Sequence, residues 1–405
     1  MVATATGEYL PLAIGHGHGA PLMTASLDVS LDDTTRARLF PALADGPIFL
    51  NHSGIAPISG PAAQALARYV AEAQAPTPDR LRGWLMDKSR ARVAVAELIG
   101  AAPAEIAFMP NTTVAVATLA NGMGLRAGDR VVGFEGDYPA NVFPWRRLAR
   151  SGVEYLRVAA PDGLPDLDAL RRAVDERTRV VAVSSVCFWS GARAPLAEIV
   201  KIAHAAGALV AVDAVQSVGA LRLDMNELDL DFVACGGLKW LLSPMGVAFL
   251  YVRRAHLERI EVTEPGADSN DPPLPYLDDR ERLRGDAARF EGGTQPTGNL
   301  FALGASARMF LDVGLERVEA LVLRNSGILA DGFASRGYRV LSPRGPGSSS
   351  GIVAARHREL GNGDVVDALA RQRIHCVERE GWVRLAPHFY QSEAEMERVV
   401  AALPR

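Results

Sequence analysis

Lysine is scarce in this chain. Of 43 basic residues, 40 are arginines and only Lys88, Lys201 and Lys239 are lysines. Arginine keeps its proton, whereas a desolvated lysine can become a nucleophilic amine. Lys88 lies in the polar stretch Asp87-Lys88-Ser89-Arg90, which reads as a helix start, and Lys201 lies in a helical pattern that points it outward. Lys239 differs, because Gly236-Gly237-Leu238-Lys239-Trp240-Leu241-Leu242 surrounds it with apolar groups. Burying an unpaired ammonium is costly, so such a lysine must be neutralised, paired or chemically used. Asp213 ends the apolar run Leu209–Val212, 26 residues before Lys239, and it also needs a cation or hydrogen bonds. Asn111-Thr112-Thr113 follows the apolar run Ile106–Met109 and opens a helical pattern. Free backbone N–H groups and the helix dipole make such a turn an anion site, although the same residues also serve as plain helix caps. Tyr138 follows the run Val131–Phe134 and can stack on a flat ring, or act as an ordinary amphipathic tyrosine.

These residues must be positioned by regular elements. Helical patterns run over about 59–75, 88–100, 112–122, 141–151, 166–176 and 195–206. Between them lie Ile106–Met109, Val131–Phe134, Val153–Val158, Val180–Val186, Leu209–Val215, Asp231–Cys235 and Val247–Val252. Continuous apolar runs, unlike strict alternation, mark strands buried on both faces. Alternation with helices predicts an α/β fold with a mostly parallel sheet covered on both sides. In such a sheet ligands bind where the carboxyl ends of the strands enter the next helix. Residues 254–290 read as a surface loop. A smaller α+β unit follows, with a long helical stretch over about 300–335, a strand Ile352–Ala355, a helix over 362–372, strand pieces at Ile374–Val377 and Trp382–Leu385, and a helix over 392–403. The expected organisation is an N-terminal arm over 1–50, a large domain over 51–293 and a small C-terminal domain over 294–405.

Composition narrows the function classes. A net charge of −4 gives no electrostatic case for nucleic acid or an anionic membrane. No apolar run reaches the length of a spanning helix, and no signal peptide is evident, so a soluble cytoplasmic protein is expected. Cys187, Cys235 and Cys376 are too few for a disulfide framework and lack metal-ligand spacing. The Gly15-His16-Gly17-His18-Gly19 stretch reads as a tail, since nothing fixes its histidines as metal ligands. No metal is expected.

A lysine, an acid, an anion-binding helix start and an aromatic ring on one sheet edge suit pyridoxal 5′-phosphate (PLP). The plain alternative is a structural Asp213–Lys239 ion pair. A nicotinamide enzyme needs a Gly-rich G-x-G-x-x-G turn after a strand, and no junction here has one.

From about residue 46 to the end, the chain resembles the class V aminotransferase family of fold-type I PLP-dependent enzymes, the superfamily of cysteine desulfurases and isopenicillin N epimerase-like proteins. The matching stretches are Leu50-Asn51-His52-Ser53-Gly54, Asn111-Thr112-Thr113, Asp137 to Asn141 with Pro144-Trp145, and Val212 to Gln216. They continue with Asp231 to Lys239, Gly246 to Val252, Phe290-Glu291-Gly292-Gly293-Thr294 and Val383 to Tyr390. The resemblance implies that Lys239 is the Schiff-base lysine, Asp213 the partner of the pyridine nitrogen and Gln216 a contact of the ring hydroxyl. It places Tyr138 as the stacking ring and Thr112 and Thr113 in the phosphate turn. It makes Thr294 a contact to the phosphate of a neighbouring subunit, which implies a homodimer with shared active sites. It makes Arg384 the holder of the substrate α-carboxylate. Asn51 and His52 are candidates beside the substrate, with His375 and His388, and each histidine reads equally as a hydrogen-bonded structural one.

The chain departs from the desulfurase branch in informative ways. Gly236 and Leu238 stand where that branch has a serine and a histidine before the lysine, so phosphate contacts must come from elsewhere or be fewer. Phe188 or Trp189 stands where it has an asparagine near the ring. Cys376 lies eight residues before Arg384 in a strand-like segment and reads as a structural thiol. The expected reaction is transamination or β-elimination of the C–S lyase type at Cα or Cβ of an amino acid. Epimerisation, desulfurase-like sulfur mobilisation and a non-enzymatic binding module are the alternatives.

Overall fold

The computed structural model describes residues 31–41, 46–270, 277 and 280–405. The Gly/His stretch at 15–19 and most of the arm lie outside the described residues. The chain opens with α1 (Asp33–Leu39), β1 (Ile48–Phe49), α2 (Gly60–Ala73) and α3 (Pro78–Leu98). The alternating part follows as β2 (Ile106–Met109), α4 (Thr112–Gly122), β3 (Arg130–Phe134), α5 (Pro139–Arg147), β4 (Glu154–Val158) and α6 (Leu167–Ala173). It continues as β5 (Thr178–Ser184), α7 (Leu196–Ala205), β6 (Leu209–Asp213), α8 (Met225–Leu228), β7 (Phe232–Gly236) and β8 (Ala248–Val252). The last part is α9 (Thr297–Val313), α10 (Leu315–Ser335), β9 (Arg339–Val340), β10 (Val353–Arg356), α11 (Asn362–Arg371), β11 (Ile374–His375), β12 (Val377–Arg379), β13 (Trp382–Leu385) and α12 (Glu393–Ala402).

The large sheet has seven strands in the order β2-β8-β7-β6-β5-β3-β4. Only β8 opposes the others, pairing antiparallel with β7 and β2. Successive residues bury on opposite faces, as the pleat requires. Val132, Val181, Val183, Val210, Val212 and Val233 join one core cluster, while Val131, Val180, Ala182, Ala211, Phe232 and Ala234 join another. Both faces are therefore covered, which explains the unbroken apolar runs in the sequence. Parallel β3, β5, β6 and β7 bring Phe134, Ser184, Asp213 and Gly236 to one edge. The smaller unit is an antiparallel four-stranded sheet, β12-β13-β10-β9, against α10, α11 and α12. Parallel pairing of β1 with β11 ties the N-terminal segment to it.

Several expected boundaries move for local reasons. α3 starts at Pro78, ten residues before the expected 88, because Thr77 caps it by accepting from Arg80 N and Pro78 occupies the first turn. The charged residues Asp79, Arg80 and Arg82 hide that turn from an apolar-period search. Lys88 is consequently inside a helix, not at a solvated start. It pairs at 2.8 Å with the buried Glu291, while Lys201 is exposed as expected. The long helical stretch expected over 300–335 is two helices. Gly314 takes φ +94°, a conformation that costs L-residues with side chains, and α9 ends there. α9 packs on α2 and α3, so this helix rests on the larger unit although it follows the expected boundary at 294. The 254–290 segment is not wholly a surface loop, since Leu257, Ile260, Ala287 and Phe290 are buried in the core.

Candidate active site

The carboxyl edge of the large sheet encloses a cavity of about 180 Å³ lined by Asn111, Thr112, Thr113, Tyr138, Phe188, Asp213, Gln216 and Lys239 among others. Lys239 projects from a loop that begins where β7 ends. Leu242 N donates to Lys239 O, Ser243 N to Gly237 O, and Gly237 N to Val247 O, all within 3.0 Å. Outside segments grip the same loop: Ala56 N donates to Leu238 O, Ser59 N to Leu242 O, and His388 Nε2 to Trp240 O at 2.9 Å. Leu242 holds φ +51° within this clamp, a strained left-handed conformation costing about 1–2 kcal/mol. The result is a rigid mount. Lys239 Nζ sits 5.1 Å from the centroid of the Tyr138 ring. Burial lowers its pKa to about 8, against the pull of the Asp213 charge. A neutral amine is therefore accessible near physiological pH.

Asp213 closes β6 and is buried. Its Oδ1 accepts from Val215 N at 3.0 Å, and Oδ2 has no donor among the described residues. Burial raises its pKa to about 6, assisted by the nearby charge of Asp137. A cation placed at Oδ2 would restore the ionised form. Gln216 is held in one orientation. The Trp240 indole can only donate, so it donates to Oε1 at 2.8 Å, and Nε2 donates to Ser53 O at 3.0 Å. One Nε2 hydrogen remains free.

The anion turn is formed by the N-terminus of α4. Asn111 Oδ1 accepts from Val114 N, while the amides of Thr112 and Thr113 have no partner among the described residues. Gly236 permits this turn to approach β7. A Cβ at Gly236 would lie 3.0 Å from Thr112 Oγ1. The Thr112 hydroxyl therefore lies against the space a side chain at position 236 would enter. Tyr138 starts α5 and is 42% exposed, so one ring face is available for stacking. The Phe188 ring meets it edge-on at 5.2 Å.

Arg384 comes from β13, is almost fully buried, and reaches the cavity wall through its hydrogen bond to Phe188. Nη1 donates to Phe188 O at 2.6 Å and Nη2 to Asn51 Oδ1 at 3.2 Å, but Nε is buried without an acceptor. No carboxylate among the described residues pairs with it, and burial lowers its pKa to about 10. A buried, unpaired guanidinium is an anion site awaiting its anion.

Not every expected residue meets at this edge. His52 is buried behind it: Nδ1 donates to Ala386 O and Nε2 accepts from Tyr390 Oη, both at 2.7 Å. Both nitrogens are committed within the protein, and burial lowers its pKa to about 4, so it braces the site from behind. His388 is likewise internal, and His375 is exposed on β11. Thr294 is exposed on the loop after Phe290 and does not line the cavity. Cys376 is 9% exposed in the core of the smaller unit, and burial pushes its thiol up to about 12. Sequence reasoning overlooked Asp137 as a bracket. It accepts from Tyr138 N, Asn141 Nδ2, Ser184 N and Ser184 Oγ, tying the stacking ring to the strand beside Asp213. Its only sequence signal was an acid directly before Tyr138.

Comparison with known proteins agrees with this geometry. The aminotransferase class-V family model matches residues 83–391. The chain belongs to the class-V aminotransferase family. It is 30% identical over 383 residues to a probable cysteine desulfurase of Methanothermobacter thermautotrophicus, covering 89% of this chain and 94% of that protein. The apo structure of a cysteine desulfurase from Thermococcus onnurineus superposes with a TM-score of 0.84 at 25% identity, over 92% of this chain and 97% of that one. The cystine C-S lyase C-DES, in complex with cysteine persulfide, shares the fold with a TM-score of 0.81 at 24% identity, over 89% and 98% of the two chains. This class-V family member is a PLP-dependent enzyme acting on an amino acid, with the fold-type I architecture. The cavity fits that cofactor on its own chemistry. It offers free helix amides for a phosphate, a carboxylate with one bare oxygen for a ring nitrogen, and a lysine that can be neutral. Among the described residues no helix is long and apolar enough to cross a membrane. No described group of His, Cys, Asp and Glu could hold a metal ion.

Proposed function

We propose that this enzyme carries out transamination or β-elimination on an amino acid and works as a homodimer with shared sites. The observation that carries this is the convergence of Lys239 and Asp213 on one cavity, with the unpaired Arg384 hydrogen-bonded to Phe188 in its lining. PLP, when bound, supplies the electron sink that makes the α-hydrogen of an amino acid removable. The chain supplies the rest. The Thr112 and Thr113 amides would hold the phosphate, with the Thr112 hydroxyl beside them. Tyr138 would cover one ring face, Asp213 would hold the ring nitrogen protonated, and Gln216 would offer its free Nε2 hydrogen to the ring hydroxyl. Lys239 would hold the cofactor through its amine, and that amine is the base that would take the proton from Cα. Arg384, held by Asn51 and Phe188, fixes the α-carboxylate and so orients the Cα–H bond toward Lys239.

The three cysteines favour this reading over desulfuration with a cysteine nucleophile. Cys187, Cys235 and Cys376 are all buried, with thiol pKa values raised mainly by desolvation. A buried thiol is a poor nucleophile. The dimer is supported by large apolar side chains exposed beside the lysine loop, Ile55, Ile58 and Met245. Such patches mark association surfaces. The exposed Thr294 would serve the neighbouring subunit.

The test is a panel of amino acids with the PLP-loaded enzyme, identifying a keto acid with an aminated cofactor, or a keto acid with free ammonia. Cys376→Ser should turn over its substrate at the wild-type rate. Sulfur transfer from cysteine that disappears in Cys376→Ser would overturn the reading.

A further inference from the structure

One face of the small sheet is strongly basic. Across β12 and β13, Val377 lies opposite Arg384 and Arg379 opposite Trp382. Directly opposed residues share a face, so Arg379 and Arg384 are diagonal neighbours on the same surface, with backbones roughly 7–8 Å apart. On the adjoining strands Arg356 and Arg339 are paired in register, and both guanidinium groups lie over the Trp382 ring, at 4.7 and 5.5 Å. The opposite face carries Val353, Ala355, Val383 and Leu385 into the core of the smaller unit. The basic face therefore runs from solvent at Arg339, Arg356 and Arg379 inward to the buried Arg384.

Arg379 is the member of this row next to the carboxylate anchor. It is exposed, and among the described residues it makes no hydrogen bond or ion pair. The hairpin acids do not neutralise it: Glu378 belongs to the opposite face, opposed to Val383, and Glu380 sits in the turn with φ +50°. The Arg379 charge nevertheless reaches the reaction centre, since it opposes protonation of both Lys239 and Arg384. A free cation there is an electrostatic cost to the empty site, because it faces two other cations. An anion between Arg379 and Arg384 removes that cost.

Building on the amino-acid reading above, we propose that Arg379 is a specificity residue that receives a second anionic group on the substrate side chain, so that acidic amino acids are preferred to neutral ones. The α-carboxylate takes the buried Arg384, and the side-chain anion takes the exposed Arg379, its diagonal neighbour on the same sheet face. Arginine suits this role because its fork binds a carboxylate through two parallel hydrogen bonds.

The PLP-loaded wild-type enzyme and its Arg379→Ala and Arg379→Lys variants would be compared with L-aspartate and L-glutamate against L-asparagine and L-glutamine. Succinate, which cannot react, would report binding alone by calorimetry. Wild type should favour the acids by about tenfold or more in kcat/KM, and less so at high salt. Arg379→Ala should erase that preference and weaken succinate by a similar factor, with a much smaller change for the amides, which feel only the altered charge near Lys239 and Arg384. Arg379→Lys should restore part of both. Equal kcat/KM for acids and amides in wild type, or an equal loss for both in Arg379→Ala, would overturn the proposal and leave the amino-acid reading standing. If no amino acid of either kind changes the absorbance of the bound cofactor, the amino-acid reading itself fails and this inference with it.

Discussion

Replacing Arg384 by alanine tests whether the buried guanidinium is a carboxylate anchor or a structural strut. Arginine has five N–H donors. In this fold one Nη1 hydrogen goes to Phe188 O and one Nη2 hydrogen to Asn51 Oδ1. Nε is buried with nothing to accept from it. The free donors, Nε–H and the remaining Nη hydrogens, are those a carboxylate would take. Each hydrogen bond to a charged group contributes about 1.5–3 kcal/mol, so a two-point contact is worth about 3–6 kcal/mol. Arg384→Ala should lower kcat/KM for the amino acid by roughly 10²- to 10⁴-fold. Arg384→Lys keeps the charge without the fork and should fall between the two. The fold should survive, because the substitution removes an unpaired buried charge and strands only two acceptors. The deciding assay measures kcat/KM for the amino acid and for the corresponding amine that lacks the carboxylate. The variant should lose its rate with the amino acid and change little with the amine. An equal loss for both substrates, with an unchanged melting temperature, would refute the anchoring argument.

Asp213 gives a pH signature. Its folded pKa of about 6 lies above the ordinary 3.8, so its stabilising contribution to the cofactor-free fold is complete below the unfolded pKa and is lost as pH rises through about 6. The melting temperature of apo wild type, measured against apo Asp213→Asn, should therefore decline from pH 4 to 7. A flat difference would show that the carboxyl is not desolvated. Asp213→Asn should also weaken PLP binding by about tenfold or more, read from equilibrium titration of the apo protein, because the ring nitrogen loses its counter-charge. Glu291 makes the opposite case. Its carboxylate accepts from Phe108 N and pairs with Lys88 and Arg92, which hold its pKa below the usual value although desolvation works against them. Its contribution is present above the unfolded pKa and lost as pH falls through the folded one. Glu291→Ala should cost about 3 kcal/mol, the low end for a broken buried pair, since Lys88 keeps 23% of its side-chain surface in water. Chemical denaturation at neutral pH would measure it, and an unchanged midpoint would rule the pairing out.

The sequence exposed the large-domain half of the site because a parallel sheet needs no long-range knowledge. Every strand of β3, β5, β6 and β7 delivers its last residue to the same edge, so Tyr138, Asp213 and Lys239 could be grouped by counting strands. Arg384 and Asn51 could not be grouped that way. They are 333 positions apart, and their contact depends on β13 meeting the segment after β1, which no local pattern encodes. Family resemblance supplied both. In the sequence His52 reads equally as a substrate neighbour or a structural histidine, and its hydrogen bonds to Ala386 and Tyr390 turn it inward. A histidine whose two nitrogens are satisfied by backbone and tyrosine has the same sequence signature as one that meets a ligand. The first turns of α3 were invisible for a different reason: a charged, exposed helix start has no apolar period to read.

The charges of the site are what its ligands would need to balance. Lys239, Arg384 and Arg379 bring three cations toward one cavity whose closest buried carboxylate, Asp213, has a pKa raised to about 6. Water cannot screen the two buried ones, so the protein shifts them: Lys239 down to about 8 and Arg384 down to about 10. Each shift is a free-energy cost held in the empty fold, and each is relieved by a particular partner. A phosphate at the α4 amides and an α-carboxylate at Arg384 supply negative charge, while a protonated ring nitrogen returns Asp213 to its ionised form. Two anions and one cation thus satisfy positions that the chain alone leaves unsatisfied. The unsatisfied state is then informative about the ligand: it specifies charge, sign and place. By the same logic Arg379, still unpaired after those partners are counted, calls for one more anion.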